Sequence, residues 1–384
     1  MARSDSQPVT NRPRVDGGPP ASDAKPGGAD RRGPPDAGLY VGVDVGGTKV
    51  EAALVDAEGR PLAVERRATR PEHGVDAVLA RLVECVDAVR ASSASNQLRG
   101  VGVGVAGQVD HRTGTVRFAP NLGWHDVALG PSLRGALDLP VFVLNDVQAA
   151  TFGEWRHGAG IGVDDLVCLF LGTGVGGGIV GGGELLLGCL GSAGELGHTV
   201  VDLRGGRRCR CGGIGCLETL AGGWAIAERA RELARDGGEP GRSLTAAAGG
   251  VAEQLTAEQV ITAARSGNAV ARQVLADAAA ALGAAAISLV NAFNPCVLVI
   301  GGGIVAGAPE LIDVARDAVV RLALPTGSAA VRIVPPGLAR HAGSVGAAAW
   351  ARWRMNARPS TGEPGAARTP PDRQCDQDEV TRKS

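Results

Sequence analysis

Two stretches of the sequence share one pattern, LYVGVDVGGTKVEAALVD from Leu39 to Asp56 and VCLFLGTGVGGGIVGGGELLLG from Val167 to Gly188. In each, an apolar run meets a glycine-rich turn and a second apolar run follows, which predicts a strand hairpin. At 384 residues the chain exceeds the size at which a single core usually divides. The sequence therefore predicts an α/β fold of two lobes with a cleft between them.

The segments between and after these hairpins indicate the lobe boundaries. Apolar residues recur with helical spacing from Val75 to Val89, and PVFVLND ends in Asp146 before another helical pattern. We expect a smaller lobe over residues 39–145 and a larger lobe over 146–343. A last helix over 344–354 is expected to pack on the smaller lobe.

The two ends of the chain differ from the rest. Residues 1–38 and 357–384 are rich in polar residues, Pro and Gly and have little apolar surface to bury. Such composition cannot offset the entropy lost on folding. We expect both ends to be disordered.

Composition also limits the cellular setting and the partners. The net charge is −1 and the isoelectric point about 6.6, so the chain has no basic field for nucleic acid. The most apolar stretch, Ala278–Phe293, is shorter than the ~20 residues that span a bilayer and predicts a buried helix. Five of the eight cysteines are scattered, as is typical of the reducing cytoplasm. We therefore expect a cytoplasmic protein that binds neither nucleic acid nor membrane.

The stretch CRCGGIGCLE places three cysteines within eight residues. Cys209, Cys211 and Cys216 can supply three thiolates on a glycine-rich turn, and His198 in GELGH can complete a tetrahedron. Such a closed shell leaves no position for a reactive water, so the zinc would be structural. The alternative is a redox pair or unrelated cysteines, but redox motifs usually space two cysteines by two residues.

Glycine turns follow three of the predicted strands. In DVGGTK, small residues allow backbone N–H groups to approach a phosphate, and a lysine adds charge, although the spacing is not that of a Walker loop. Alone, this turn could be a plain hairpin, but GTGVGGG offers the same arrangement in the other lobe. Together they suit a nucleotide triphosphate. The residues predicted to hold it are Asp44, Gly46, Gly47, Thr48, Lys49, Gly172, Thr173, Gly174, Gly176, Gly177 and, from the third turn, Gly302.

A carboxylate and several polar groups complete the candidate site. Asp146 lies at a strand end, where it could accept a hydroxyl proton during phosphoryl transfer or, alternatively, cap the following helix. Asn145, Glu195, His198 and Glu218 offer acceptors and donors suited to a molecule ringed with hydroxyls. The predicted zinc would hold Glu218 and His198 in place, and the sequence separation suggests that it acts on this pocket more than on the phosphate turns.

The motifs DVGGTK, LND, LGTGVGGG, GELGH, CRCGGIGCLE and VIGGG, in this order, resemble those of the ROK family of sugar kinases, and most closely its bacterial glucokinase members. The resemblance spans about Leu39 to Arg354. It implies an actin-like ATPase (ribonuclease H-like) fold with a zinc-binding loop. The two lobes of this fold are expected to close on ATP with Mg²⁺ and on a hexose. It also implies that Asp146 is the catalytic base, and it adds Asn121 in NLGW as a sugar contact.

The sequence departs from the family at one position and admits alternatives for substrate and function. Gln148 stands where many members have a small residue or Asn, two residues after Asp146. Glucose is the expected substrate, with N-acetylmannosamine or fructose as alternatives, and a homodimer or homotetramer is expected. The rival function is a sugar-sensing regulator, either a repressor with a DNA-binding domain or a non-catalytic sensor.

Overall fold

Both glycine-rich stretches fold as strand hairpins, which confirms the prediction. The computed structural model of the protein describes residues 38–92, 98–236 and 238–356. The segments predicted to be disordered, 1–38 and 357–384, lie outside the described residues apart from Gly38.

The described strands form two five-stranded sheets and one three-stranded sheet. The strands of the first lobe are β1 (Leu39–Val45), β2 (Lys49–Val55), β3 (Pro61–Ala68), β4 (Leu98–Val105), β5 (Gln108–Asp110), β6 (Thr115–Ala119), β7 (Trp124–Val127) and β8 (Val141–Asn145). Those of the second lobe are β9 (Leu166–Leu171), β10 (Val175–Gly181), β11 (Glu184–Leu185), β12 (Val297–Gly301) and β13 (Arg332–Val334).

The two large sheets have the same topology. Their strand orders are β3-β2-β1-β4-β8 and β11-β10-β9-β12-β13. In each, the hairpin strands are antiparallel, and the central strand pairs in parallel with the next one. The similar motifs in the sequence therefore correspond to a repeated architecture. The small sheet β5-β6-β7, which the sequence pattern did not reveal, is appended to the first lobe.

Helices cover the sheets and lie between them. They are α1 (Val75–Ala91), α2 (Leu129–Leu137), α3 (Asp146–His157), α4 (Glu218–Ala221), α5 (Gly223–Asp236), α6 (Gly238–Ala247), α7 (Ala257–Arg265), α8 (Ala269–Phe293), α9 (Gly303–Gly307), α10 (Glu310–Leu322), α11 (Pro325–Ala330) and α12 (Ala342–Asn356). Helices α1 and α2 pack on the first sheet, whereas α4 to α10 contribute to the core of the second lobe.

Helices α3 and α12 pack against each other between the two large sheets. Their apolar residues share one cluster with β9 and β12, and α12 also packs on β1 and β2. The contact with the first sheet is close enough to require glycine, because a Cβ added to Gly42 would lie 1.7 Å from the carbonyl oxygen of Ser344. This packing fixes the start of α3, where Asp146 lies, relative to both lobes.

Helix α8 is longer than the apolar stretch that predicted it. At 25 residues it has the length and composition of a membrane span, yet 56% of its most apolar window is buried. It contributes many residues to the core of the second lobe, including Leu282 and Val290, which are fully buried. This packing is that of a core helix, which agrees with the prediction of a buried helix.

Candidate active site and metal-binding loop

Asp146 is the first residue of α3, and Asn145 caps this helix. The Asn145 side-chain oxygen accepts hydrogen bonds from the backbone N–H groups of Val147 (2.9 Å) and Gln148 (3.1 Å), while its Nδ2 donates to the carbonyl of Gly107 (3.1 Å). Capping is therefore the role of Asn145, and the alternative that Asp146 caps the helix is wrong. The Asp146 carboxylate lies in the positive first turn of the helix.

Two carboxyl groups with raised pKa values face this region. The pKa of Asp146 is raised to about 6, mainly by burial; backbone N–H groups oppose the shift, and the charge of Glu195 adds to it. The pKa of Asp44 is raised to about 7, mainly by burial and in part by the charge of Asp146. The charge of Glu195 thus raises the pKa of Asp146, and the charge of Asp146 raises the pKa of Asp44. A carboxylate with a pKa close to neutrality is suited to take up a proton.

The first glycine turn joins β1 to β2. The N–H of Gly46 donates to the carbonyl of Lys49 (3.0 Å), and the Thr69 hydroxyl donates to the carbonyl of Gly46 (2.6 Å), so the turn is held from both sides. A Cβ added to Gly47 would lie 3.0 Å from the carbonyl oxygen of Asn121, which places that predicted sugar contact beside the turn. The side chains of Thr48 and Lys49 are exposed.

The second glycine turn is shorter than the predicted loop. It covers Gly172–Gly174, because β10 already begins at Val175. Gly176 and Gly177 lie in this strand, where an added Cβ would come within 2.6 Å of Val147 and within 2.5 Å of Leu196. Their lack of a side chain therefore serves close packing. Their predicted contact with phosphate stays a prediction.

The start of α5 and the third glycine turn support the second turn. The N–H of Gly223 donates to the carbonyl of Gly172 (2.9 Å), and that of Trp224 donates to the carbonyl of Thr173 (3.0 Å). Gly302 follows β12 with a φ of +95°, and an added Cβ would lie 2.3 Å from the carbonyl oxygen of Leu171. Two of the three predicted turns are therefore adjacent in space.

The four predicted metal ligands lie together. The Nδ1 atom of His198 is 3.6 Å from the Cys209 sulfur, and the sulfurs of Cys211 and Cys216 are 3.8 Å apart. All four ligand atoms lie within 4.8 Å of one another. Ligands at the Zn–S distance of about 2.3 Å in a tetrahedron are separated by about 3.8 Å, so the spacing fits zinc. Because Nδ1 faces the thiols, Nε2 of His198 is left for another partner.

Glu195, His198 and Glu218 form a polar cluster beside this loop. Glu195 directly precedes a short 3-10 helix, Leu196–His198. Burial raises the pKa of Glu195, the charge of Glu218 adds to the shift, and His198 opposes it. Glu218 is held firmly: its Oε2 accepts from the N–H of Val175 (2.8 Å) and its Oε1 from the indole N–H of Trp224 (3.1 Å).

The roles of two residues near the site were not predicted from the sequence. Trp224 contacts both Glu218 and the second glycine turn. Gln148 was noted only as a departure from the expected pattern, but its buried amide binds the loop that precedes Glu195. Its position two residues after Asp146 was a usable signal, whereas nothing in the sequence around Trp224 pointed to these contacts.

Two lobes of repeated topology, with glycine turns and a carboxyl group of raised pKa at the start of the helix between them, define an actin-like ATPase fold of the sugar kinase type. The chain belongs to the ROK family, whose profile matches residues 40–354.

The relatives include both kinases and regulators. The chain is 35% identical over 318 residues to a glucokinase of Streptomyces coelicolor, which covers 82% of this chain and 98% of the relative. The solved structure of a ROK family glucokinase from Streptomyces griseus, in complex with glucose and AMPPNP, has a TM-score of 0.70 at 36% identity, covering 82% of this chain and 99% of that one. A xylose repressor of Caldicellulosiruptor bescii is 31% identical over 268 residues, which are 69% of this chain and 66% of the repressor.

Proposed function

We propose that the protein is an ATP-dependent glucokinase that phosphorylates the 6-hydroxyl of glucose. The observation that carries the proposal is the placement of Asp146 at the start of α3, with a pKa raised to about 6, within an intact set of family motifs. Similarity to glucokinases over nearly their whole length supports glucose as the substrate.

In the proposed reaction, Asp146 takes the proton from the sugar hydroxyl as that oxygen attacks the γ-phosphorus of ATP. The bond between the γ-phosphorus and the oxygen bridging to the β-phosphate breaks, and ADP leaves. Lys49 and those backbone N–H groups of the two glycine turns that are not bonded within the turns offset charge on the phosphoryl oxygens. Mg²⁺ that accompanies ATP supplies further positive charge when bound.

The polar cluster would hold the sugar. Glu195 and Glu218 can accept hydrogen bonds from sugar hydroxyls, and Nε2 of His198 faces away from the thiols. Asn145 has both ends of its amide engaged by backbone groups, so a sugar would bind to its remaining N–H. Asn121 lies beside the first glycine turn, where it could reach a sugar between the lobes.

The proposed zinc has a structural role. His198, Cys209, Cys211 and Cys216 would form a closed shell that orients His198 and stiffens the loop leading to Glu218. We also propose that the enzyme acts in the cytoplasm and assembles as a homodimer or homotetramer, as expected from the sequence and the family.

The test is a coupled assay of ADP release with glucose, fructose, mannose and N-acetylmannosamine. We expect glucose to give the highest kcat/KM, with the phosphate on O6 of the product. Preference for another hexose would replace glucose as the substrate. The similarity to a repressor favours the sensor as the second candidate. Binding of sugar by calorimetry without any ADP release would support that candidate and overturn the kinase.

A further inference from the structure

Gln148 uses both hydrogens of its amide on one loop. The side chain is 3% exposed and lies on α3, two residues after Asp146. Its Nε2 donates to the carbonyl oxygens of Gly191 (2.9 Å) and Ala193 (3.0 Å). A rigid helix therefore holds a loop that lies more than forty residues further along the chain.

This loop, Gly191–Glu195, extends from the second lobe to the first. Gly191 has a φ of +83°, and an added Cβ would lie 2.5 Å from the carbonyl oxygen of Val109 in β5. At the other end, a Cβ added to Gly194 would lie 2.9 Å from the carbonyl of Gly177 in β10. The loop thus contacts both lobes next to the start of α3.

A small cavity lies under the loop. Its lining includes Gly107, Asn145, Gln148, Gly191, Ser192 and Glu195. Two of these residues, Asn145 and Glu195, belong to the proposed sugar site. The loop therefore forms one wall of the space beside the proposed base.

We infer that Gln148 is a positioning residue for the hexose: by binding Gly191 and Ala193 it sets the position of the loop and of Glu195 at its end. The inference rests on the proposed function of a sugar kinase. Glycine residues make this loop costly to order, because they have the most conformational freedom to lose. The two hydrogen bonds from α3 hold it in place before the sugar binds, which reduces the cost of binding.

Loss of the Gln148 amide should weaken the binding of ATP less than the binding of the hexose. The proposed phosphate turns are held by other groups, namely Thr69 for the first turn and the start of α5 for the second. Loss of the Gln148 amide removes the support of the loop and leaves those contacts in place. The expected signature is therefore a change in the KM of the hexose that is not matched by the KM of ATP.

The experiment compares Gln148→Met, which keeps the length of the side chain but has no donor, with Gln148→Asn, which keeps the donor on a shorter side chain. The matched control is Thr151→Val, because Thr151 is fully buried one turn further along α3 and its hydroxyl donates to the carbonyl of Val147 in its own helix. Steady-state kinetics for hexose and ATP, and melting temperatures, are measured for all three variants.

We expect Gln148→Met to raise the KM of the hexose about tenfold or more, with the KM of ATP within about twofold of wild type, because two carbonyls lose their donor. Gln148→Asn should recover part of the loss, since it keeps an amide donor at the same position of α3. Thr151→Val should lower the melting temperature without changing either KM beyond about twofold.

Three results would overturn the inference. They are an unchanged hexose KM in Gln148→Met, an equal rise in both KM values, and a hexose KM in Thr151→Val that rises as far as in Gln148→Met. The activity of the wild type distinguishes a failure of this inference from a failure of the proposed function. If it phosphorylates no hexose, the proposed function fails, whereas an active wild type with unaffected Gln148 variants refutes this inference alone.

Discussion

The carboxylate of Glu218 accepts a 2.8 Å hydrogen bond from the backbone N–H of Val175, which lies 43 residues earlier in the chain. This bond joins the segment that follows the four candidate metal ligands to the start of β10, directly after the second glycine turn. The indole N–H of Trp224 donates to the same carboxylate, and its backbone N–H donates to the carbonyl of Thr173. Arg210, between two of the ligand cysteines, lies over the indole ring at 4.4 Å. The metal-binding loop and the second turn therefore form one unit.

The first prediction follows from this connection. Cys211→Ala should release most of the zinc and raise the KM of both hexose and ATP, each by about tenfold or more, because the loop supports His198 on one side and the glycine turn on the other. The sequence separation had suggested that the effect would fall mainly on the sugar. Metal content by atomic absorption and steady-state kinetics for both substrates check the prediction.

Cys296→Ala is the control for this variant. Cys296 is an exposed free cysteine outside the metal-binding loop, so its loss should leave zinc content and both KM values unchanged. A wild type without zinc would contradict the metal site. An ATP KM that stays at the wild-type value in Cys211→Ala would contradict the coupling.

The second prediction concerns the indole N–H. Trp224→Phe keeps an aromatic ring beneath Arg210 and the backbone bond to Thr173, but removes the donor to Glu218. A hydrogen bond to a charged group contributes about 1.5–3 kcal/mol, so we expect the KM of ATP to rise by about tenfold. Zinc content should stay at the wild-type level. A variant with normal zinc and an unchanged ATP KM would show that the indole bond does not hold the turn.

Local patterns in the sequence were sufficient for much of this site. The hairpins around the two glycine turns, a helix next to the LND motif and the grouping of His198 with the three cysteines were all predicted, because each depends on residues that are close in sequence. His198 and Cys209 are eleven residues apart, and a turn brings them together.

Contacts between distant segments could not be predicted in this way. Sequence periodicity does not show that Gln148 reaches Gly191, or that Glu218 bonds Val175, because these contacts depend on how the helices and loops pack. For the same reason the sequence does not reveal the close packing of Gly176 and Gly177, whose predicted contact with phosphate stays a prediction. Glycine is required both for approach to a phosphate and for close packing, and only the packing partner distinguishes the two.

The third prediction tests the proposed base. Asp146→Asn keeps the shape of the side chain but cannot accept the proton, so kcat should fall by about 10²-fold or more. Binding of glucose, measured by isothermal titration calorimetry, should stay within a few fold of wild type. Retention of more than about a hundredth of the wild-type kcat would exclude Asp146 as the base.

The fourth prediction is a pH dependence. Asp146 must be ionised to act, and its pKa is raised to about 6, so kcat/KM for the hexose should fall as the pH drops through about 6. The charge of Glu195 contributes to this raised pKa. Glu195→Gln removes that charge, lowers the pKa of Asp146 and should move the acid limb to lower pH. An acid limb near pH 4 in the wild type, or no movement in the variant, would contradict the assignment.

The last prediction concerns Glu154, a fully buried carboxylate at the C-terminal half of α3. Its Oε2 accepts from the N–H groups of Ala159 (2.9 Å) and Gly337 (2.8 Å), and its Oε1 accepts from Leu338 (2.9 Å). The chain passes from α3 to β9 near Ala159 and from β13 to α12 near Gly337, so one side chain joins both connections between the lobes.

Glu154→Gln replaces one of these acceptor oxygens with a donor that faces a backbone N–H. The lost bonds and the unsatisfied buried groups should lower the free energy of unfolding by about 2 kcal/mol, measured by urea denaturation. Glu258→Gln on the exposed face of α7 is the control and should change it by less than about 0.5 kcal/mol. If both variants unfold at the same urea concentration as wild type, the buried carboxylate does not stabilise the connections between the lobes.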